Sequence, residues 1–153
     1  MRVVEPWVAA PLDAFLQESS ARLTLLMTAE GQVIAQDGFL RSVDVMAASA
    51  LGAGIVASLD ALAALMGITR FRAVMHQGSR QSLYLAAFDT PRGRWIGLVV
   101  FGAETSVGLV QLFFQELVER LAAAVPPDEA PRAPLAATFE QELNASLRSL
   151  FGR

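Results

Sequence analysis

The stretch Gly52-Ala53-Gly54-Ile55-Val56-Ala57 has the G-x-G-x-x-A spacing of a dinucleotide-binding turn. In such a turn the glycines follow a strand and open a helix, so that the backbone can approach a pyrophosphate. Here the stretch lies well inside a segment that is helical by composition from about residue 43. No acidic residue follows about twenty positions on to hold a ribose. We therefore expect no nucleotide site and no other cofactor.

The remaining polar residues do not form a catalytic or metal-binding set. His76 is the only histidine and the chain has no cysteine, whereas a zinc site needs several such ligands. His76 falls at a predicted strand end, where a structural hydrogen bond is expected. Asp44, Asp60, Glu116 and Glu119 are spaced as solvated positions on helices. The sequence predicts a protein that is not itself an enzyme.

Charge and composition point to protein partners. The net charge is −3 and the pI is near 5.1, and the basic residues are all arginines spread along the chain, so nucleic acid is excluded as the main partner. Apolar residues make up 54% of the 153 residues. One domain of this size buries only about 70% of its unfolded surface, so a second burial event, such as dimerisation, is indicated. The lack of cysteine fits a cytoplasmic protein.

No membrane insertion is expected. Glu5 and Pro6 interrupt the first apolar residues, which argues against a signal peptide. The segment 43–67 is long enough to span a bilayer, but it contains Asp44 and Asp60 and is rich in small residues. A buried or interfacial helix is the better interpretation.

Periodicity predicts one α+β domain over residues 11–125, preceded by an N-terminal extension at 1–10. The predicted order is helix, two strands, helix, three strands, helix, with a five-stranded antiparallel sheet. The helices are expected at 11–21, 43–66 and 106–125, and the strands at 22–28, 32–35, 70–76, 81–88 and 95–101. Trp95 to Phe101 is almost continuously apolar, which suits the centre of the sheet.

A proline-rich linker and a terminal helix follow the domain. Four of the seven prolines lie between residues 125 and 135, which predicts a semi-extended linker at 126–135. Residues 136–153 are predicted to form an amphipathic helix, which should dock either on its own domain or in a groove of a partner. Its docking face is formed by Phe139, Leu143, Leu147, Leu150 and Phe151.

Small residues recur along the middle helix at Gly54, Ala57 and Ala61. Glycine in a helix costs about 1 kcal/mol relative to alanine. A closely packed polypeptide, in the same domain or in a partner, should compensate for that cost.

Three stretches in register resemble the roadblock (dynein light chain) superfamily, and within it the bacterial MglB proteins. They are the small-residue helix 47–67, the segment His76-Gln77-Gly78-Ser79-Arg80-Gln81-Ser82-Leu83-Tyr84, and Thr105-Ser106-Val107-Gly108-Leu109-Val110. The resemblance covers about residues 10–125 and preserves the order of elements. The terminal helix also looks like the short helix that follows the linker in MglB.

This resemblance implies a homodimer with side-by-side middle helices and sheets joined across the two-fold axis. It implies regulation of an MglA-type Ras-like GTPase in bacterial cell polarity, by activation of GTP hydrolysis without an inserted arginine. The terminal helix is associated with nucleotide exchange. The middle helix faces the GTPase, and the matching positions are Gly54, Ala57 and Ala61. The implied location is cytoplasmic, at a cell pole.

Two departures keep alternatives open. Residues 89–94 suggest a longer, proline-bearing turn between the last two strands than the resemblance leads us to expect. Asn144, Ser146 and Ser149 replace acidic residues common in the family's tail. Either departure fits a roadblock scaffold that does not activate a GTPase. A ligand-sensing domain of PAS or profilin-like build is a further alternative, and it would need a roomy, partly polar cavity.

Overall fold

A computed structural model describes residues 1–69, 72–127 and 132–151, with the side chains of 132–140 and 151 left aside. The described elements form an α+β fold whose antiparallel sheet has the strand order β1-β3-β2-β6-β5-β4. The strands are β1 (Arg2–Val3), β2 (Leu23–Thr28), β3 (Val33–Gly38), β4 (Ala73–Gln77), β5 (Ser82–Thr90) and β6 (Gly93–Phe101). The helices are α1 (Ala9–Ser19), α2 (Val45–Met66), α3 (Val107–Ala124) and α4 (Arg132–Phe151), with a 3-10 turn at Pro6–Val8.

β6 lies at the centre of the sheet, as its apolar sequence predicts. It pairs with β2 on one side and β5 on the other, so that Leu98 is opposite both Leu25 and Leu85. Ile96 and Val99 are fully buried and point to opposite faces of the sheet. A strand covered on both faces needs apolar residues at successive positions.

The helices cover the two faces of the sheet separately. Alternation along β2 sends Leu23, Leu25 and Met27 to the face that α2 covers, and Leu26 to the face that α1 and α3 cover. On the α1–α3 face the Phe114 ring packs over Gly97, where an added Cβ would lie 2.5 Å from the ring. The three core helices and the sheet therefore form a three-layer domain, with α2 alone on one side.

Residues 1–10, predicted as an N-terminal extension, contribute a strand and core contacts to the fold. Arg2 and Val3 form β1, a sixth strand that pairs with β3. Trp7 stacks on Trp95 with ring centroids 5.6 Å apart, and Val8 is fully buried. The sheet therefore has one strand more than predicted.

Two further boundaries differ from the prediction. The expected long turn at 89–94 is a tight hairpin in which Thr90 pairs with Gly93, and Gly93 adopts φ +113°, a conformation that glycine tolerates. The terminal helix α4 begins at Arg132, inside the segment 126–135 for which the sequence predicts a linker.

Candidate protein-interaction surface

α2 is the element on which the candidate surface is built, and both its ends are capped. Asp44 Oδ1 accepts a hydrogen bond from the Ala47 N–H at 3.1 Å, which satisfies one of the free N–H groups of the first turn. Gly67 ends the helix at φ +67°, and its N–H donates to the carbonyls of Ala63 and Ala64. A helix of 22 residues spans about 33 Å, so α2 offers a long face.

The inner face of α2 packs on the sheet through small side chains. Ala53 and Val56 are buried there against residues of β2, β5 and β6. At Gly52 an added Cβ would lie 3.5 Å from side-chain atoms of Met27 and Leu85, which is ordinary van der Waals contact. The inner face therefore brings α2 close to the sheet and holds its outer face in a fixed orientation.

The outer face carries a row of large apolar side chains that are exposed, which we call the bulky row. Leu65 is 85% exposed and Leu51 is 69% exposed, and both would be costly to leave in water. The row consists of Leu51, Ile55, Leu62 and Leu65. Exposed apolar patches of this kind mark interaction surfaces in proteins.

Beside it runs a second row of exposed residues, which we call the small row. It contains all three residues of the predicted partner interface, Gly54, Ala57 and Ala61. At about 100° per residue the two rows are centred about a quarter-turn apart on the helix. The small row consists of Ala47, Ala50, Gly54, Ala57, Ala61 and Ala64.

Gly54 shows that the small row is not required by the packing of the domain itself. An added Cβ at Gly54 would meet no atom within 4 Å, although glycine costs about 1 kcal/mol relative to alanine in a helix. Within the described residues nothing covers Gly54, Ala57 or Ala61. The absence of bulk at these positions therefore needs a reason outside the described domain.

The outer face carries no charge. Asp60 is the only charged residue from Val45 to Met66, and it is not the solvated carboxylate that the sequence predicts. Arg94 at the start of β6 donates to both Asp60 oxygens, at 2.5 and 3.3 Å, and both side chains are more than three-quarters buried. This hydrogen bond raises the pKa of Arg94 above its ordinary value. By length and composition α2 could cross a membrane, but the pair and the buried inner face hold it to the sheet.

Two neighbouring features extend the apolar surface. A groove of about 380 Å³ lies between α2 and the sheet, with Leu51, Ile55 and Leu83 among its lining residues. Within the described sheet, β4 lies at the edge and pairs with β5 alone, so its outer backbone groups are available to another strand. Met75 on this strand is 41% exposed. The α2 side of the molecule therefore presents an apolar face next to an open sheet edge.

The described residues contain no group of three or more His, Cys, Asp or Glu side chains that could hold a metal ion. The G-x-G-x-x-A stretch lies inside α2, seven residues after its first residue Val45, and so does not form a strand-to-helix turn. His76 is exposed on β4, and the structural hydrogen bond expected for it stays a prediction. The apolar outer face of α2 is suited to contact with another protein.

The predicted docking face of α4 is only partly within the described side chains. Leu143, Leu147 and Leu150 are 49%, 42% and 77% exposed. Phe139 and Phe151 belong to the same predicted face, but their side chains lie outside the described residues. The three leucines form a second apolar surface whose docking site remains a prediction.

Comparison with known proteins gives matches among solved structures alone: no protein-family model and no curated protein matches the chain. MglB of Myxococcus xanthus superposes with a TM-score of 0.70 at 28% identity, over 78% of this chain and 95% of that one. The gliding protein MglB of Thermus thermophilus gives 0.69 at 29% identity, over 80% and 93%. The chain has a roadblock fold that resembles MglB. A Roadblock/LC7 domain from Streptomyces avermitilis gives 0.60 at 16% identity, over 70% and 88%, and this match shows the roadblock fold alone.

The roadblock resemblance predicted from the sequence is thus confirmed, and the bulky row is the part of the surface that the sequence analysis missed. Leu51, Ile55, Leu62 and Leu65 step by four, seven and three residues, which places them on one helical face. That spacing is visible in the sequence. The spacing does not show that the bulky row is exposed, because the inner face of α2 is also apolar and the pattern does not say which face is covered.

Proposed function

We propose that this chain is a dimeric regulator of an MglA-type Ras-like GTPase, which it activates for GTP hydrolysis without contributing a catalytic residue of its own. The observation that carries the proposal is the uncharged outer face of α2, with its two exposed rows. The similarity to MglB structures at 28% and 29% identity supports this class of protein. A cytoplasmic location and a role in cell polarity are part of the same proposal.

We assign the bulky row and the open edge of β4 to a second copy of the chain. A symmetric dimer buries the same patch on both subunits, so the exposed leucines of α2 would cover each other. β4 can pair across the same axis because its outer edge is unpaired in the described sheet. Dimerisation would thereby remove from water the largest apolar side chains of α2.

We assign the small row to the GTPase. A row of alanines with one glycine lets a partner backbone approach closely, and it presents no charge that would have to be desolvated. Gly54, Ala57 and Ala61 then position the switch region of the GTPase instead of reacting with the nucleotide. The exchange role that the resemblance gives to the terminal helix stays a prediction.

The test is phosphate release by the cognate GTPase, with and without this chain, using the variant Ala57→Arg. An arginine at this exposed position should leave the fold and the dimer intact. It should weaken GTPase binding by at least about 30-fold, because a bulky charge would be forced into a close contact. The matched control is Ala122→Arg, at an exposed alanine of α3, which should activate like the wild type.

Each outcome has a defined meaning. Full activation by Ala57→Arg would remove the small row from the contact. A wild-type chain that binds the GTPase without changing its hydrolysis rate would indicate the scaffold function. A ligand-sensing domain would need a roomy, partly polar cavity, and binding of a small metabolite by the chain in the absence of any GTPase would favour that function.

A further inference from the structure

A shallow groove on the opposite side of the molecule from α2 lies between α1 and α3. We call it the α1–α3 groove, and its volume is about 550 Å³. Ala10 and Ala14 line it from α1, Ala123 and Ala124 line it from α3, and Trp7 contributes its ring. Alanines on two adjacent helices leave room for the larger side chains of a third helix.

An ion pair marks one end of this groove. Arg120 on α3 donates to Glu18 on α1 at 3.1 Å, and both residues line the groove. The pair joins the two helices across the groove, and it leaves an apolar lining of alanine, proline and tryptophan beyond it. The α1–α3 groove is therefore suited to an apolar helix face.

α4 supplies such a face within the same chain. Leu143, Leu147 and Leu150 recur at i, i+4 and i+7 on α4 and are all exposed. Helices in proteins are stabilised mainly by packing an amphipathic face and not by propensity alone. The leucines of α4 thus need a surface, and the alanines of the α1–α3 groove offer one.

The connection between the two elements favours this groove over the face of α2. Ala124 lines the groove and is the last residue of α3, and α4 begins at Arg132, which is 132 − 124 = 8 positions later. Eight residues span at most about 29 Å in any conformation. α2 lies on the other face of the sheet, so α4 would have to pass around the domain to reach it. So short a tether gives α4 an effective concentration near the groove of the order of millimolar.

We propose that α4 docks through Leu143, Leu147 and Leu150 in the α1–α3 groove of its own chain. This inference goes beyond the proposed function and does not rest on it. If the terminal helix also contacts a GTPase, docking covers the same leucines and so competes with that contact.

The natural absence of cysteine allows a direct test in the full-length protein. Ala10→Cys places a thiol at an exposed position of the groove, and Ser146→Cys places one beside Leu147 without removing any of the three leucines. Mild oxidation should give a cross-link within one chain, seen as a shifted monomer on a non-reducing gel and confirmed by mass spectrometry of the joined peptides. The comparison pair, Met46→Cys with Ser146→Cys, probes an exposed position of α2 that lies outside both rows and should link at least about tenfold more slowly.

A second pair of variants separates docking from chance collision. Leu147→Glu in the Ala10–Ser146 cysteine background should slow the cross-link at least about tenfold. The matched control Ala145→Glu, on the far side of α4, should leave the rate unchanged. The proposal is overturned if Leu147→Glu has no effect, or if the cysteine at position 46 links as fast as the one at position 10. It is also overturned if two single-cysteine proteins, mixed together, link as readily as the two sites do within one chain.

Discussion

Substitution of Leu65 tests most directly whether the bulky row of α2 forms the interface with a second copy of the chain. It is 85% exposed near the end of α2, so Leu65→Ala removes little packing within one subunit. The free energy of unfolding of the isolated subunit should therefore change by less than about 0.5 kcal/mol. If a second copy covers Leu65, the same substitution removes a buried side chain from the interface.

The expected weakening of the dimer follows from the area that dimerisation covers. Full burial of a leucine side chain contributes about 1.5–3 kcal/mol, and alanine retains part of it, so each substitution should cost about 1–2 kcal/mol. A symmetric dimer carries the substitution twice. The dimer should lose about 2–4 kcal/mol, which raises its dissociation constant about 30- to 700-fold.

Sedimentation velocity over a range of protein concentrations measures this constant directly. The matched control is Leu112→Ala, which removes a leucine that is 53% exposed on α3, away from the face of α2. Denaturant unfolding of both variants checks that neither loses its fold. A dissociation constant within about twofold of the wild-type value for Leu65→Ala would refute the reasoning, because the bulky row would then lie outside the dimer interface.

Two further predictions concern the domain itself. Gly97→Ala should destabilise the fold by about 1–3 kcal/mol, because the added Cβ would lie 2.5 Å from the Phe114 ring. Gly54→Ala should be neutral or stabilise it by up to about 1 kcal/mol, because its Cβ would meet no atom within 4 Å; equal urea midpoints for the two variants would contradict this. The hydrogen bond from Arg22 lowers the pKa of Glu104 below its ordinary value of 4.5. The stability from this pair is present above that value and is lost as the pH falls through the lowered pKa, so the wild type should lose more stability than Glu104→Gln between about pH 5 and pH 3. If the free energy of unfolding of the two proteins falls equally between these pH values, the ion pair contributes nothing to stability in acid.

The order of the core elements could be predicted because each one carries its own local signal. Alternating apolar residues identify β2, and the length and the alanine and leucine content of α2 identify a helix. β1 carries no such signal, since two residues, Arg2 and Val3, become a strand only by pairing with the distant β3. Its formation depends on non-local contacts that periodicity does not contain.

The hairpin at Thr90 shows a second limit. Pro91 is correctly expected to break the strand pattern, whereas Gly93 is the first residue of β6, and the length of the turn depends on side-chain contacts. The Thr90 hydroxyl donates to the Gly93 carbonyl at 2.7 Å and accepts from the Arg92 N–H at 3.1 Å. These bonds close the turn over two residues, whereas composition alone suggested a longer one.

Only part of the candidate surface could be predicted, because it too depends on contacts between elements distant in sequence. The sequence identified Gly54, Ala57 and Ala61 by their size, and the structure places all three on an exposed face. It could not distinguish the inner from the outer face, because α2 is apolar around most of its circumference. The burial of Ala53 and Val56 against β2 and β6 decides the orientation, and that is a property of the assembled sheet.

We propose that the apolar outer face of α2 contacts other proteins and not lipid. Its one charge, Asp60, is paired with Arg94 from the adjacent sheet, so that the outer face stays uncharged while the helix is held in place. The bulky and small rows lie about a quarter-turn apart on that face. Under the proposed function, two partners can contact the same helix at once, the second copy on the leucines and the GTPase on the alanines. Under this arrangement dimerisation does not compete with GTPase binding, and a substitution in one row should leave the other contact largely intact.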